Sequence, residues 1–98
     1  MPQVRIPPVL RPDAGGRRMV EVDGSTVRAA LAALVEAHPA LDGRVLADDE
    51  LPPFINVFVD GEDVRLREGL ATPVNAASTI LLLPAVAGGS AQGSLVAS

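Results

Sequence analysis

The 98-residue chain contains no cysteine, which excludes a disulfide framework, a Cys-ligated zinc and a cysteine nucleophile. It has no tryptophan or tyrosine, and Phe54 and Phe58 are its only aromatics, so its core must be built from aliphatic side chains. It also has no lysine: all eight basic residues are arginines. Bias toward Ala, Arg, Gly, Pro and Val is the ordinary explanation, with the side effect that an activated C-terminal acyl group would meet no side-chain amine in cis. Histidine occurs once, as His38, and one imidazole without partners makes neither a metal site nor a general base. At the C-terminal end of a helix its ordinary role is structural. The longest apolar run is too short for a bilayer and contains Pro84, and Met1-Pro2-Gln3-Val4 lacks the charged and apolar regions of a secretory signal. The expectation is a soluble cytoplasmic protein with no membrane partner.

What is present suits one small domain, with little room for the deep pocket that a catalytic site of its own would need. The net charge is −4 and the arginines are scattered along the sequence, so no positive stripe is expected and nucleic acid is not a partner.

Val4 and Ile6 alternate with Gln3 and Arg5, a short strand stopped by Pro7-Pro8, after which Val9-Leu10 is expected to resume an extended path. Arg11 to Gly16 reads as a turn leading to a second strand, Arg18–Val22, antiparallel to the first. Gly15-Gly16 lacks the strand–glycine–helix order and the lysine of a phosphate cradle, so it belongs to this hairpin. Ser25 or Thr26 caps a helix whose apolar stripe is Val27, Ala30, Leu31, Leu34, Val35 and His38, with Arg28, Ala32 and Glu36 facing away and Pro39 as the stop. Residues 39–53 form a long connection in which Leu41, Val45 and Leu46 tuck against the core. Asp48-Asp49-Glu50 has no further ligand in phase and reads as a solvated face, or secondarily as a contact for a basic partner.

Phe54–Val59 is a β-branched and aromatic strand, Asp60-Gly61 a tight hairpin signal, and Val64-Arg65-Leu66 the expected return strand. Leu70 and Val74 plug the core from a turn-rich segment, and Thr79–Leu83 is the last strand. The order β-β-α-β-β-β predicts an α+β fold of the β-grasp (ubiquitin-like) type: a mixed sheet with one helix on one face and the last strand parallel to the first.

Several stretches then resemble the ubiquitin-like sulfur-carrier proteins of the ThiS and MoaD families, and most closely the CysO carriers of cysteine biosynthesis. They are Leu10-Arg11-Pro12 with Gly15-Gly16, Thr26-Val27, Val57 to Arg65, Gly69-Leu70-Ala71-Thr72, and above all Leu83-Pro84-Ala85-Val86-Ala87-Gly88-Gly89. The resemblance spans residues 1–89. It implies that an E1-like enzyme uses ATP to adenylate the carboxylate of Gly89, and that a sulfur donor converts the adenylate to a thiocarboxylate. A sulfur-accepting synthase then uses it, in the CysO branch a pyridoxal-phosphate enzyme acting on O-phosphoserine, and a zinc-dependent peptidase releases cysteine. The carrier binds no cofactor and catalyses nothing.

The residues agree with that role. Gly88-Gly89 can enter a narrow tunnel because glycine has no side chain, and Pro84 ends the ladder, leaving the flexible tail with Ala87 and Gly88 free to project. If Ile55, Val57, Val59, Ile80 and Leu82 point inward, then Phe58, Leu81 and Leu83, with Pro84 and Val86, form a partner-binding patch. A strand phase wrong by one residue would exchange the two sets.

Two features depart from the family pattern. Ser90 to Ser98 follow Gly89, so its carbonyl is an amide as written, and the expectation is a disordered extension (residues 90–98) removed by a processing metallopeptidase. An inactive paralogue or an artificially added tail are the other readings. Asn75-Ala76-Ala77-Ser78 stands where relatives often carry a Gly-Asp turn. The rival functions are the small subunit of a molybdopterin synthase and a ubiquitin-like interaction domain without sulfur chemistry.

Overall fold

The computed structural model describes residues 1–47 and 50–84. Apolar residues at alternate positions pair into a five-stranded sheet of β1 (Gln3–Arg5), β2 (Met19–Glu21), β3 (Ile55–Val59), β4 (Glu62–Asp63) and β5 (Thr79–Pro84), in the order β2-β1-β5-β3-β4. β1 pairs antiparallel with β2 and parallel with β5, and β3 is antiparallel to both β5 and β4. The last strand in sequence is thus central in the sheet, with β1 on one side and β3 on the other. One helix, α1 (Val27–Ala37), covers one face, which gives the β-grasp arrangement.

α1 starts where expected. Thr26 is the residue that caps it: its Oγ1 accepts from the Ala29 N–H at 3.2 Å. Val27, Ala30, Leu31 and Leu34 are buried in one cluster with Val4, Val20, Ile55, Val57, Ile80 and Leu82, while Arg28, Ala32 and Glu36 are exposed. His38 closes the helix with its backbone N–H on the Leu34 carbonyl, and Pro39–Leu41 continues as one 3₁₀ turn that buries Leu41. Thr72 ties the late loop to the helix start, its carbonyl accepting from Val27 N–H at 3.0 Å.

Two local expectations are corrected. Val9-Leu10 is not extended, because Pro8–Ala14 is a 3₁₀ helix. Pro7 and Pro8 have no N–H for a ladder, and Pro8 fits the first turn of a helix instead. Leu10 donates to the Pro7 carbonyl at 2.9 Å, and Leu10 and Ala14 turn into the core. Gly15 and Gly16, at φ 68° and 79°, carry the chain back toward β2. The return strand of the second hairpin is Glu62–Asp63, whereas Val64–Leu66 is a 3₁₀ turn. Asp63 Oδ1 accepts from Arg65 N–H at 2.9 Å, which caps that turn and drives Val64 into the core. The turn before it is as expected, with Asp60 and Gly61 at φ 50° and 89°. The Asn75–Ser78 turn closes through its own side chains: Asn75 Oδ1 accepts from Ala77 N–H and Ser78 Oγ from Asn75 N–H.

Candidate docking face and tail root

The phase of β3 and β5 is the expected one. Ile55, Val57, Val59, Ile80 and Leu82 are buried beneath α1, so the pleat sends Asn56, Phe58, Leu81 and Leu83 to the uncovered face. Register brings Phe58 opposite Leu81 and Asn56 opposite Leu83, so the three apolar side chains form one group across two strands. Phe58 and Leu81 are half-buried, and Leu83 is 39% exposed. Pro84, half-buried opposite Ile55, is the last residue of β5, one position beyond the expected strand end.

Val86, Ala87, Gly88 and Gly89, the extension 90–98 and the carboxylates Asp48-Asp49 lie outside the described residues. What is described is the root from which that segment departs: a proline on a central strand, beside an apolar group on the open face.

Two features of this root were not expected. Val9 and Phe54, 62% and 52% exposed, flank a shallow hollow of about 140 Å³ with Leu10, Ile55, Arg44 and Pro84. Phe54, next to buried Ile55, faces outward by the alternation of the strand, whereas Val9 reaches Pro84 only because Pro8–Ala14 coils. The second is Arg65, whose guanidinium donates to Asn56 Oδ1 at 2.8 Å, to the Ile55 carbonyl at 3.0 Å and to the Pro52 carbonyl at 3.3 Å. It holds the start of β3 from the open face, directly opposite Leu83 and Pro84. Nothing in the local pattern around Arg65 signals this, since its three acceptors lie 9, 10 and 13 residues away.

Among the described residues, no group of three His, Cys, Asp or Glu side chains could hold a metal ion, and no helix is long and apolar enough to cross a membrane. His38 sits at the end of α1 near Gly15. The arrangement presents a partly exposed apolar group on the uncovered face, beside the proline from which the C-terminal segment departs.

Known proteins share this arrangement. The ThiS family matches residues 4–89. The sulfur carrier protein CysO of Mycobacterium tuberculosis is 37% identical over 89 residues, covering 88% of this chain and 96% of that protein. Small archaeal modifier protein 1 of Haloferax volcanii is 49% identical over 79 residues, covering 78% and 86%. Among solved structures, the BexX/CysO complex of Amycolatopsis orientalis contains a chain of TM-score 0.84 and 39% identity, covering 91% of this chain and all of that one.

Proposed function

Because the chain belongs to the ThiS family, we infer that it is a sulfur carrier protein of the ThiS/CysO type. Peptide-bond hydrolysis after Gly89 frees the glycine carboxylate. An E1-like enzyme joins that carboxylate to the α-phosphate of ATP, releasing pyrophosphate. A sulfur donor displaces AMP to leave a thiocarboxylate, and its sulfur is the nucleophile used by a synthase that makes cysteine from O-phosphoserine or a related metabolite. ATP and pyridoxal phosphate belong to those partners, and the need for ATP makes the cytoplasm the compartment proposed. The observation that carries the reading is that the family match runs through Gly89, five residues beyond the strand that roots the segment.

Phe58, Leu81, Leu83, Pro84 and Val86 are assigned to partner docking, and Ala87-Gly88 to entry into the partner. The complex of the related Amycolatopsis carrier with BexX supports a protein partner for this chain. The test is intact mass after incubation with the processing metallopeptidase and the E1-like enzyme of the same organism, ATP and sulfide. Truncation at Gly89 with one oxygen replaced by sulfur is expected, and an unchanged full-length mass overturns the reading.

The likeness to an archaeal modifier protein favours one second reading, attachment of Gly89 to amines of other proteins. Having no lysine, this chain could not build lysine-linked chains on itself. Appearance of the carrier's mass on other proteins, without sulfur in small molecules, would select that reading.

A further inference from the structure

Although the arginines are dispersed in sequence, the fold gathers some of them. Residues 1–18 hold four arginines against one aspartate, a local charge of +3, while residues 19–98 hold four against eleven carboxylates, or −7. The 3₁₀ helix and the β1–β2 pair fold three of the four, Arg5, Arg11 and Arg18, around one groove of about 390 Å³ on the open side of the sheet. Met19, Leu81 and Leu83 supply apolar surface to the groove, and among the described residues no carboxylate lines it. The side chains of Arg5 and Arg18 have no hydrogen bond or ion pair among the described residues. Arg11 donates its Nε–H to the Ile6 carbonyl at 3.1 Å, which holds its guanidinium in place.

The carboxylates on the other side of the face are already engaged. Asp60 accepts from Thr79 N–H, Asp63 from Arg65 N–H, and Glu62 pairs with Arg67. In register across the sheet run Met19, Arg5, Leu81, Phe58 and Asp63, so this row of the open face grades from a free guanidinium through apolar side chains to a satisfied carboxylate.

We propose that this groove receives an acidic segment, flanked by apolar side chains, of the enzyme that activates the tail; this rests on the carrier reading above. Charge complementarity selects the occupant: a carboxylate can pair with guanidiniums that have no internal partner, while its apolar neighbours cover Leu81 and Leu83. The gradient also fixes orientation. Turned end for end, the partner's acidic segment would lie against Asp63, and the like charge there opposes docking. One polarity of approach therefore sets where Pro84, and the segment after it, meets the partner.

The test compares wild type with Arg5→Gln, Arg18→Gln and Ala32→Glu, using the E1-like enzyme of the same organism. Ala32→Glu lies on the exposed side of α1 and changes the net charge by the same amount as either arginine variant. Each arginine variant is expected to weaken binding about three- to tenfold at low salt. That difference should vanish near about 0.5 M salt, while Ala32→Glu binds as wild type. Equal affinities for all four proteins, or an equal loss for Ala32→Glu, overturn the proposal. A second measurement needs no enzyme: NMR of the arginine side chains during titration with a synthetic alternating Glu-Leu peptide. Shifts confined to Arg5, Arg11 and Arg18 support the groove, and shifts spread equally over Arg44 and Arg67 overturn it. If the chain ending at Gly89 never gains sulfur with an active enzyme while the peptide shifts persist, the carrier reading fails and an acid-binding groove remains.

Discussion

Gly24 is the position at which a single atom decides most. A Cβ added there would lie 2.7 Å from the Ala30 backbone nitrogen and 2.9 Å from the Ala29 carbonyl carbon, and φ is +155°. Neither obstacle is a side chain that can swing away, because both belong to the first turns of α1. Gly24→Ala must therefore push the β2–α1 connection off the helix that Thr26 caps. The expected cost is about 2–3 kcal/mol, read as a lowered midpoint in urea denaturation, with unchanged docking in the molecules that remain folded. Arg65 is the opposite case, a polar side chain whose worth lies in its three acceptors along the Pro52–Asn56 stretch rather than in its own burial. In the sequence, Gly24 is visible as part of a turn but its contact with Ala30 is not, and Arg65 is one more charged residue in a loop. Both depend on what the fold brings near.

At the scale of elements, periodicity carried the reading furthest. Period 3.6 predicted the stripe Val27, Ala30, Leu31, Leu34, Val35 and His38, of which the first four are buried and the last two half-buried, and period two predicted which side of β3 and β5 faces α1. Phase errors would have exchanged Phe58 for Val57, so the pair makes a direct experiment. Phe58→Asp is expected to leave the fold intact by circular dichroism and to lower the rate of adenylation about tenfold or more through lost docking. Val57→Asp, fully buried, is expected to prevent folding at any useful temperature, because an unpaired carboxylate would enter the core. If Phe58→Asp unfolds the domain instead, the patch is part of the core and the docking assignment fails. What periodicity missed were the short pieces. Pro8–Ala14 and Val64–Leu66 are 3₁₀ turns set by prolines without N–H groups and by an Asp63 cap, and three-residue repeats this short leave no hydrophobic period to detect. The arginine groove was illegible for a related reason: Arg5 meets Leu81 only through the parallel pairing of β1 with β5.

For the whole molecule, the core and the chemistry are divided along the chain. The buried cluster runs from Val4 to Leu82, whereas the glycine assigned to sulfur chemistry is residue 89. Removal of residues 90–98 is accordingly expected to leave the melting temperature unchanged within about 1–2 °C, since no residue of that cluster is lost. The same truncation should convert a chain inert to the E1-like enzyme into one that is adenylated, as measured by ATP-dependent pyrophosphate release. A large fall in melting temperature would mean that the last nine residues contribute to the fold.

The central position of β5 has a mechanical consequence. A partner that draws the C-terminal end inward applies force along the strand axis. β5 is bonded to β1 on one side and β3 on the other, so that force acts in shear on two ladders at once. Hydrogen bonds loaded in parallel share the tension, whereas an edge strand peeled from one side would lose them one after another. The domain is thus built like a rope end set between two clamps: it can be handled by its terminus, pulled and released, without unravelling.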